Sequence, residues 1–225
     1  MSEKIEIPST AQLVVVGAGP GGYAAAFKAA ELGLAVTVVD PEANPGGVCL
    51  HRGCIPSKAL LHVAKVVSEA EESAEIGVTF GKPKIDVDKV RAWKDEVVGK
   101  LTGGLGMKVE HKKLTYVRGM AQFKDASTLT VTADDGNTGE MTFEQAILAT
   151  GSRPIMLPGV DPGSSRIFDS TGALDLDDVP ATLVLSMMAS NFVSSRLFNT
   201  ETRSRSQPGR SPLVISTTET LLPIP

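Results

Sequence analysis

An α/β fold, with a parallel sheet carrying a small antiparallel β meander, is predicted for this 225-residue chain by three observations. The N-terminal stretch reads strand, glycine-rich turn, helix, strand; two long helical candidates follow; and short β-prone pieces then lead to a buried apolar run at 146–151 that returns the chain to the sheet.

Each element has its own warrant. Residues 12–16 are a short apolar run, 21–32 are alanine-rich and helical in composition, and 35–39 are a β-branched run that ends at Asp40, so the three together form a β-α-β unit. From Lys58 to about residue 74, Leu60, Leu61, Ala64, Val67 and Ala70 recur near helical spacing. A second helical candidate spans 86–113 and is expected to be interrupted at Gly103, Gly104 and Gly106. Residues 114–117, 128–132 and 141–143 read as strands of the meander, which occupies about 114–143, with Asp134-Asp135-Gly136-Asn137 as a turn. The strand at 146–151 ends in Thr150-Gly151, where a glycine permits close approach to a ligand.

The texture changes after about Leu185. Residues 186–225 hold eight serines, five threonines, four arginines and no lysine, and only one of the chain's 22 glycines, Gly209. That composition predicts a disordered or aberrant C-terminal tail, and the division expected is a domain over 1–185 followed by an atypical tail over 186–225.

Composition narrows the function classes. With 42% hydrophobic and 21% charged residues and a net charge of −4, neither a nucleic-acid groove nor a membrane surface is implied. No run approaches the roughly 18 apolar residues of a membrane span, and the first ten residues do not resemble a secretory signal, so a cytoplasmic location is expected, with small molecules or proteins as partners.

Two motifs carry chemistry. Gly17, Gly19 and Gly22 follow a strand, open a helix and precede an acid, Asp40, by about the ~20 residues of a Rossmann-like dinucleotide fingerprint. Gly17 makes the tight turn, Gly19 lets the backbone approach a pyrophosphate, and Gly22 lets helix and strand pack closely, while the helix N-terminus offers N–H groups to anionic oxygens. Asp40 is placed to accept from a ribose hydroxyl and to disfavour a 2′-phosphate. The competing reading is a glycine turn that binds nothing.

The second motif holds both cysteines, Cys49 and Cys54, in the run 46–58. In a reducing compartment so close a pair is catalytic or metal-binding more often than a structural staple. Zinc takes four ligands as a rule, and His51 and His62 match no common zinc spacing, so no metal is expected. Cys54 near a helix N-terminus, with Arg52 and Lys58 close in sequence, has its thiolate favoured, and a dithiol beside a nucleotide suggests flavin-linked disulfide chemistry. Lys58 stands one helical turn from Cys54; spacing alone leaves it as either a flavin contact or a solvated lysine.

These residues resemble the flavoprotein disulfide reductases, the class I pyridine nucleotide-disulfide oxidoreductases, over about 7–185. Gly46-Gly47-Val48-Cys49 followed by Gly53-Cys54-Ile55-Pro56-Ser57-Lys58-Ala59-Leu60-Leu61-His62 is similar to the lipoamide branch, the dihydrolipoamide dehydrogenases. The resemblance implies a Rossmann-like FAD-binding domain in which Cys49 is the interchange thiol, Cys54 the charge-transfer thiol and Lys58 a neighbour of the flavin's reactive edge. It implies that Gly17, Gly19, Gly22, Asp40, Gly47, Ala121, Thr150 and Gly151 line FAD. His51 and Arg52 depart from the family's usual asparagine and small apolar residue.

The resemblance further implies oxidation of protein-bound dihydrolipoamide with NAD+ as acceptor, lipoyl domains of 2-oxoacid dehydrogenase complexes as partners, and a homodimer. The family's second glycine-rich fingerprint, for NAD, is expected after a strand like 182–185, yet the chain continues Ser186-Met187-Met188-Ala189. This break is read as a shift of reading frame near codon 186, and it brings the catalytic competence of the short chain into question. Two alternatives stand beside this reading: a non-catalytic FAD-binding or interaction fragment, and a mercuric- or glutathione-reductase-like enzyme.

Overall fold

The structure, a computed structural model, describes residues 5–155, 164, 166–177, 179–180, 182–189, 192–199 and 213–217. The chain divides into two compact units, Met1–Ala59 with Lys94–Ser152, and Leu60–Trp93 with Arg153–Pro225.

The first unit is the α/β fold. Strand β1 (Thr10–Val16), helix α1 (Pro20–Glu31) and strand β2 (Val36–Asp40) form the β-α-β unit, with β1 and β2 parallel from Leu13↔Val36 to Val16↔Val39. Helices α2 (Gly47–Arg52) and α3 (Cys54–Glu72) follow, separated by Gly53 alone, and α4 (Val87–His111) leads into strands β3 (Thr115–Phe123), β4 (Thr128–Ala133) and β5 (Thr138–Leu148). The first half of β3 pairs parallel with β2, and the second half pairs antiparallel with β4. β5 does the same in reverse, antiparallel to β4 at its start and parallel to β1 from Thr142 onward, so the five strands close on themselves.

Alternation across the sheet sorts two cores. Leu13, Val15, Val36 and Val38 face one side, where Ala26, Phe27 and Ala29 of α1 and Val109 of α4 cover them. Val14, Val16 and Val39 face the other, against Val117, Leu129, Val131 and Met141 of the meander. An apolar run buried on both faces is what a central parallel strand requires, because helices cover one face and another layer the other.

Two details differ from expectation. The glycines of α4 do not interrupt it: the helix is continuous, and a side chain at Gly106 would stand 2.2 Å from Asn44 Oδ1, so packing rather than helix propensity sets the residue there. The runs 141–143 and 146–151 are not separate strands; the polar Glu144 and Gln145 between them lie within β5, with Gln145 paired to Leu13.

The second unit contains a 3₁₀ turn (Ser73–Ile76), strand β6 (Ile167–Phe168), helix α5 (Ser170–Asp175) and strands β7 (Thr182–Ala189), β8 (Phe192–Asn199) and β9 (Leu213–Thr217), in the sheet order β6-β9-β7-β8. β8 and β9 lie in the segment 186–225, expected to be a disordered or aberrant tail; valine, isoleucine, threonine and phenylalanine favour extended backbone in Phe192–Asn199 and Leu213–Thr217. The rest of that tail lies outside the described residues. Asp169 caps α5, its Oδ1 accepting from Thr171 and Gly172 N–H at 2.9 Å. At the other end Leu176 adopts a left-handed conformation, and Arg91 donates to the carbonyls of Asp175, Leu176 and Asp177. An arginine thus does the work usually left to a C-terminal glycine.

Candidate functional site

At the carboxyl ends of β1 and β2, the place where open α/β sheets receive ligands, the first unit has a groove of about 360 Å³. Its floor is made by glycines that admit no side chain. Gly17 has φ +95, and a Cβ there would lie 2.3 Å from the Ala149 carbonyl oxygen. Gly47 has φ +56, and its Cβ would stand 2.5 Å from Gly19 Cα. A Cβ on Gly22 would reach 1.8 Å from the Gly17 carbonyl oxygen. Three backbones therefore meet at near contact: the β1–α1 turn, the turn into α2, and the end of β5.

Hydrogen bonds hold these turns together. Gly17 N–H donates to Val39 O at 2.9 Å, Gly46 N–H to Ala18 O at 2.9 Å, and Ala149 N–H to Val16 O at 2.8 Å. Asp40, buried at 6% exposure, accepts from Ala18 N–H at 2.6 Å through Oδ2 and from Glu42 N–H at 2.9 Å through Oδ1. Its carboxylate thus orients the turn and still borders the groove; two oxygens carry about four lone-pair sites, which leaves capacity for a ligand hydroxyl. Tyr116 Oη donates to Glu42 O at 3.0 Å, and burial, then the charges of Asp40 and Glu42, push its phenol well above the ordinary range, so it remains a donor.

Gly17, Gly19, Asp40, Gly47, Cys49, Ala121, Thr150 and Gly151 all line this groove. Gly22 lies beneath it, buried against Gly17. Cys54 and Lys58 are exposed and are not part of its lining.

The cysteines flank the break between α2 and α3. Cys49 sits within α2, and Cys54 is the first residue of α3 after Gly53, whose Cβ would lie 2.8 Å from the Val48 carbonyl oxygen. Both are free thiols. A hydrogen bond with Cys54 is the largest influence on Cys49 and, with burial, raises its pKa, while Lys58 acts weakly in the opposite direction. The pair can exchange between dithiol and disulfide without unfolding, because the chain between the two sulfurs is a single short turn.

Sequence reasoning missed the loop 40–45 and its partners. Arg52, read as a cation beside Cys54, instead donates through Nη1 to Glu42 Oε1, ten residues back, and both side chains line the groove. Next to it, His51 Nε2 stands 3.1 Å from Asn44 O. No sequence signal marks such a pair, because neither residue belongs to a spaced motif. Among the described residues no group of three or more His, Cys, Asp or Glu side chains is placed to hold a metal, and no helix is long and apolar enough to cross a membrane.

The profile of the family described as pyridine nucleotide-disulphide oxidoreductase matches residues 11–186. Curated relatives include dihydrolipoyl dehydrogenases of Vibrio cholerae, 49% identical over 185 residues, and Haemophilus influenzae, 51% identical over 174 residues. The aligned part is 82% of this chain and 38% of the relative in the first case, and 77% and 36% in the second. A third, from Geobacillus stearothermophilus, is 49% identical over 174 residues, 77% of this chain and 36% of that protein. The chain spans little more than a third of the length of the curated relatives it matches.

Proposed function

Since the chain belongs to the pyridine nucleotide-disulphide oxidoreductase family, we propose that it is the FAD-binding, dithiol-bearing part of an enzyme that oxidises protein-bound dihydrolipoyl groups, with NAD+ as final acceptor. The observation that carries the reading is the meeting of three backbones beside Cys49, which close on one another only because Gly17 and Gly47 carry no Cβ. Gly17, Gly19 and Gly47 fit a pyrophosphate by close backbone approach, Gly22 lets α1 pack closely beneath them, Asp40 fits a ribose hydroxyl, and Ala121, Thr150 and Gly151 complete the walls. A volume near 360 Å³ suits a part of a dinucleotide rather than all of it. FAD, when bound, takes up an electron pair from a dithiol and delivers it to a pyridine nucleotide.

The chain's own chemistry is thiol–disulfide exchange. With Cys49 and Cys54 joined, a dihydrolipoyl thiolate attacks Cys49 Sγ; the Cys49–Cys54 bond breaks, leaving a mixed disulfide on Cys49 and a thiolate on Cys54. The second dihydrolipoyl thiol, losing its proton, attacks the lipoyl sulfur of the mixed disulfide and expels Cys49, which takes up a proton. The substrate dithiol becomes a cyclic disulfide, and the protein disulfide becomes a dithiol. Cys49, whose pKa is raised by its hydrogen bond with Cys54 and by burial, takes up a proton readily once it has been expelled. Lys58, one turn along α3 from Cys54, supplies a cation on that side.

Lipoyl domains as partners, a homodimer, and a domain boundary near 185 belong to the same proposal; the end of the family match at residue 186 supports the boundary. The coding DNA read in three frames tests whether a glycine-rich motif resumes after codon 186.

The test is a visible spectrum of the purified 225-residue chain before and after dithiothreitol. Flavin absorption that gains a long-wavelength band on reduction supports FAD beside Cys54. A colourless chain that takes up no added FAD refutes the reading. NAD+ reduction with dihydrolipoamide separates the full activity from the dithiol half-reaction.

A further inference from the structure

The groove's lining is short of positive charge for a site read as receiving a diphosphate. Asp40 and Glu42 both border it, and among the described residues Arg52 is the only cationic side chain that does. Arg52 closes α2, one turn beyond Cys49, and its Nη1 donates to Glu42 Oε1 with the two side chains 41% and 26% exposed. Glu42 is itself fixed, its N–H bound to Asp40 Oδ1 at 2.9 Å and its carbonyl to Tyr116 Oη at 3.0 Å. The acid is therefore anchored at its backbone, while the arginine reaches it from the end of α2 with its side chain 41% exposed.

The geometry points to Arg52 as a specificity-determining residue of the groove, an anion-binding arginine that Glu42 neutralises while the groove is empty and yields when a dinucleotide enters. The inference rests on the FAD reading above. A half-exposed pair is a weak bond in water, so little opposes the exchange of one anionic partner for another. A phosphate offers the same fork-shaped acceptor as a carboxylate, and arginine binds both in the same manner.

The pair makes predictions of opposite sign for its two members. Titration of the flavin-free chain with FAD, and separately with ADP, is followed by fluorescence at low and high salt. Arg52→Val is expected to weaken binding by about three- to tenfold at roughly 0.02 M salt, with the difference shrinking at about 0.5 M as screening grows. Arg52→Lys, which keeps the charge, retains most of the affinity. Glu42→Gln releases Arg52 and tightens binding by a similar factor, an effect that vanishes in the Arg52→Val background. Thermal melts of each variant report whether the chain stays folded.

Weakening by both Arg52→Val and Glu42→Gln would make the pair a structural clasp and overturn the inference, as would no change in either. If the unaltered chain binds neither FAD nor ADP, the dinucleotide reading falls and Arg52's role with it. That result is distinct from normal binding with an Arg52→Val chain indistinguishable from it, which overturns the Arg52 role alone.

Discussion

Two adjacent glycines at the start of α1 should respond to the same substitution in opposite directions. Gly22 is buried, and a Cβ there would sit 1.8 Å from Gly17 O, 2.8 Å from Gly17 C and 3.2 Å from Ala149 Cβ. Both close neighbours are backbone, and Gly17 is tied to Val39 by a 2.9 Å hydrogen bond, so no flexible side chain can yield. Opening that contact from 1.8 Å to at least 3.0 Å moves α1 off the sheet. Overpacking of this kind costs about 1–3 kcal/mol, and the upper end applies because main chain must move. For a chain of this size each kcal/mol lowers the melting temperature by about 2–4 °C, so Gly22→Ala should melt about 6–12 °C lower.

Gly21 is exposed with nothing within 4 Å of its Cβ position, and Gly21→Ala should be neutral or raise the melting temperature, by up to about 1 kcal/mol of helix preference. Circular dichroism melts of the two variants beside the unaltered chain decide the matter. A Gly22→Ala chain that melts at or above the Gly21→Ala chain would refute the close-packing argument and the role assigned to the third glycine.

Further outcomes follow from the same structure. Cys54→Ala removes the hydrogen bond that raises Cys49, so the apparent pKa from the pH dependence of Cys49 alkylation should move down toward the ordinary thiol value of about 8.5, and Cys49 should react faster at neutral pH. The raised Cys49 thiol contributes stability that is complete below that ordinary value and is lost as pH rises through its folded value, so denaturant midpoints of the unaltered chain should decline above about pH 8.5 more than those of Cys49→Ala. Met141→Ala empties a fully buried position in the meander core and should cost about 2–5 kcal/mol in urea unfolding. Arg91→Ala strips the donors from the end of α5 and should speed amide exchange in Ser170–Asp175 while leaving β1 and β2 protected.

How much was legible in the sequence depended on whether a feature is local. The β-α-β unit could be read because its signals are contiguous: the apolar run before Gly17, the alanine-rich helix, the β-branched run to Asp40. The same run could not reveal which core each residue joins, since Leu13, Val14, Val15 and Val16 are all apolar and only their order in the strand divides them. Gly106 misled because a helix-breaking residue is judged on propensity, whereas its neighbour Asn44 is distant in sequence. Glu144 and Gln145 looked like a break in a β segment because polar residues suggest a loop, yet the pairing with β1 runs through Gln145. Of the groove, the glycines and Asp40 belong to a spaced motif and could be read, and Cys49 to a second; Glu42 and Arg52 could not, because a loop had to fold back before they met.

The pairing of β5 with β1 also sets an order of events during synthesis. Thr142 stands opposite Thr10 on one side and Thr128 on the other, so the strand that completes the parallel sheet is made more than a hundred residues after the strand it joins. A chain emerging from the ribosome at about 5–20 residues per second displays the glycine turn and both cysteines for several seconds before Ala149–Ser152 can close the third wall. Until then Cys49 has no groove beside it, and loading of a nucleotide must wait for a chain at least as long as the first unit.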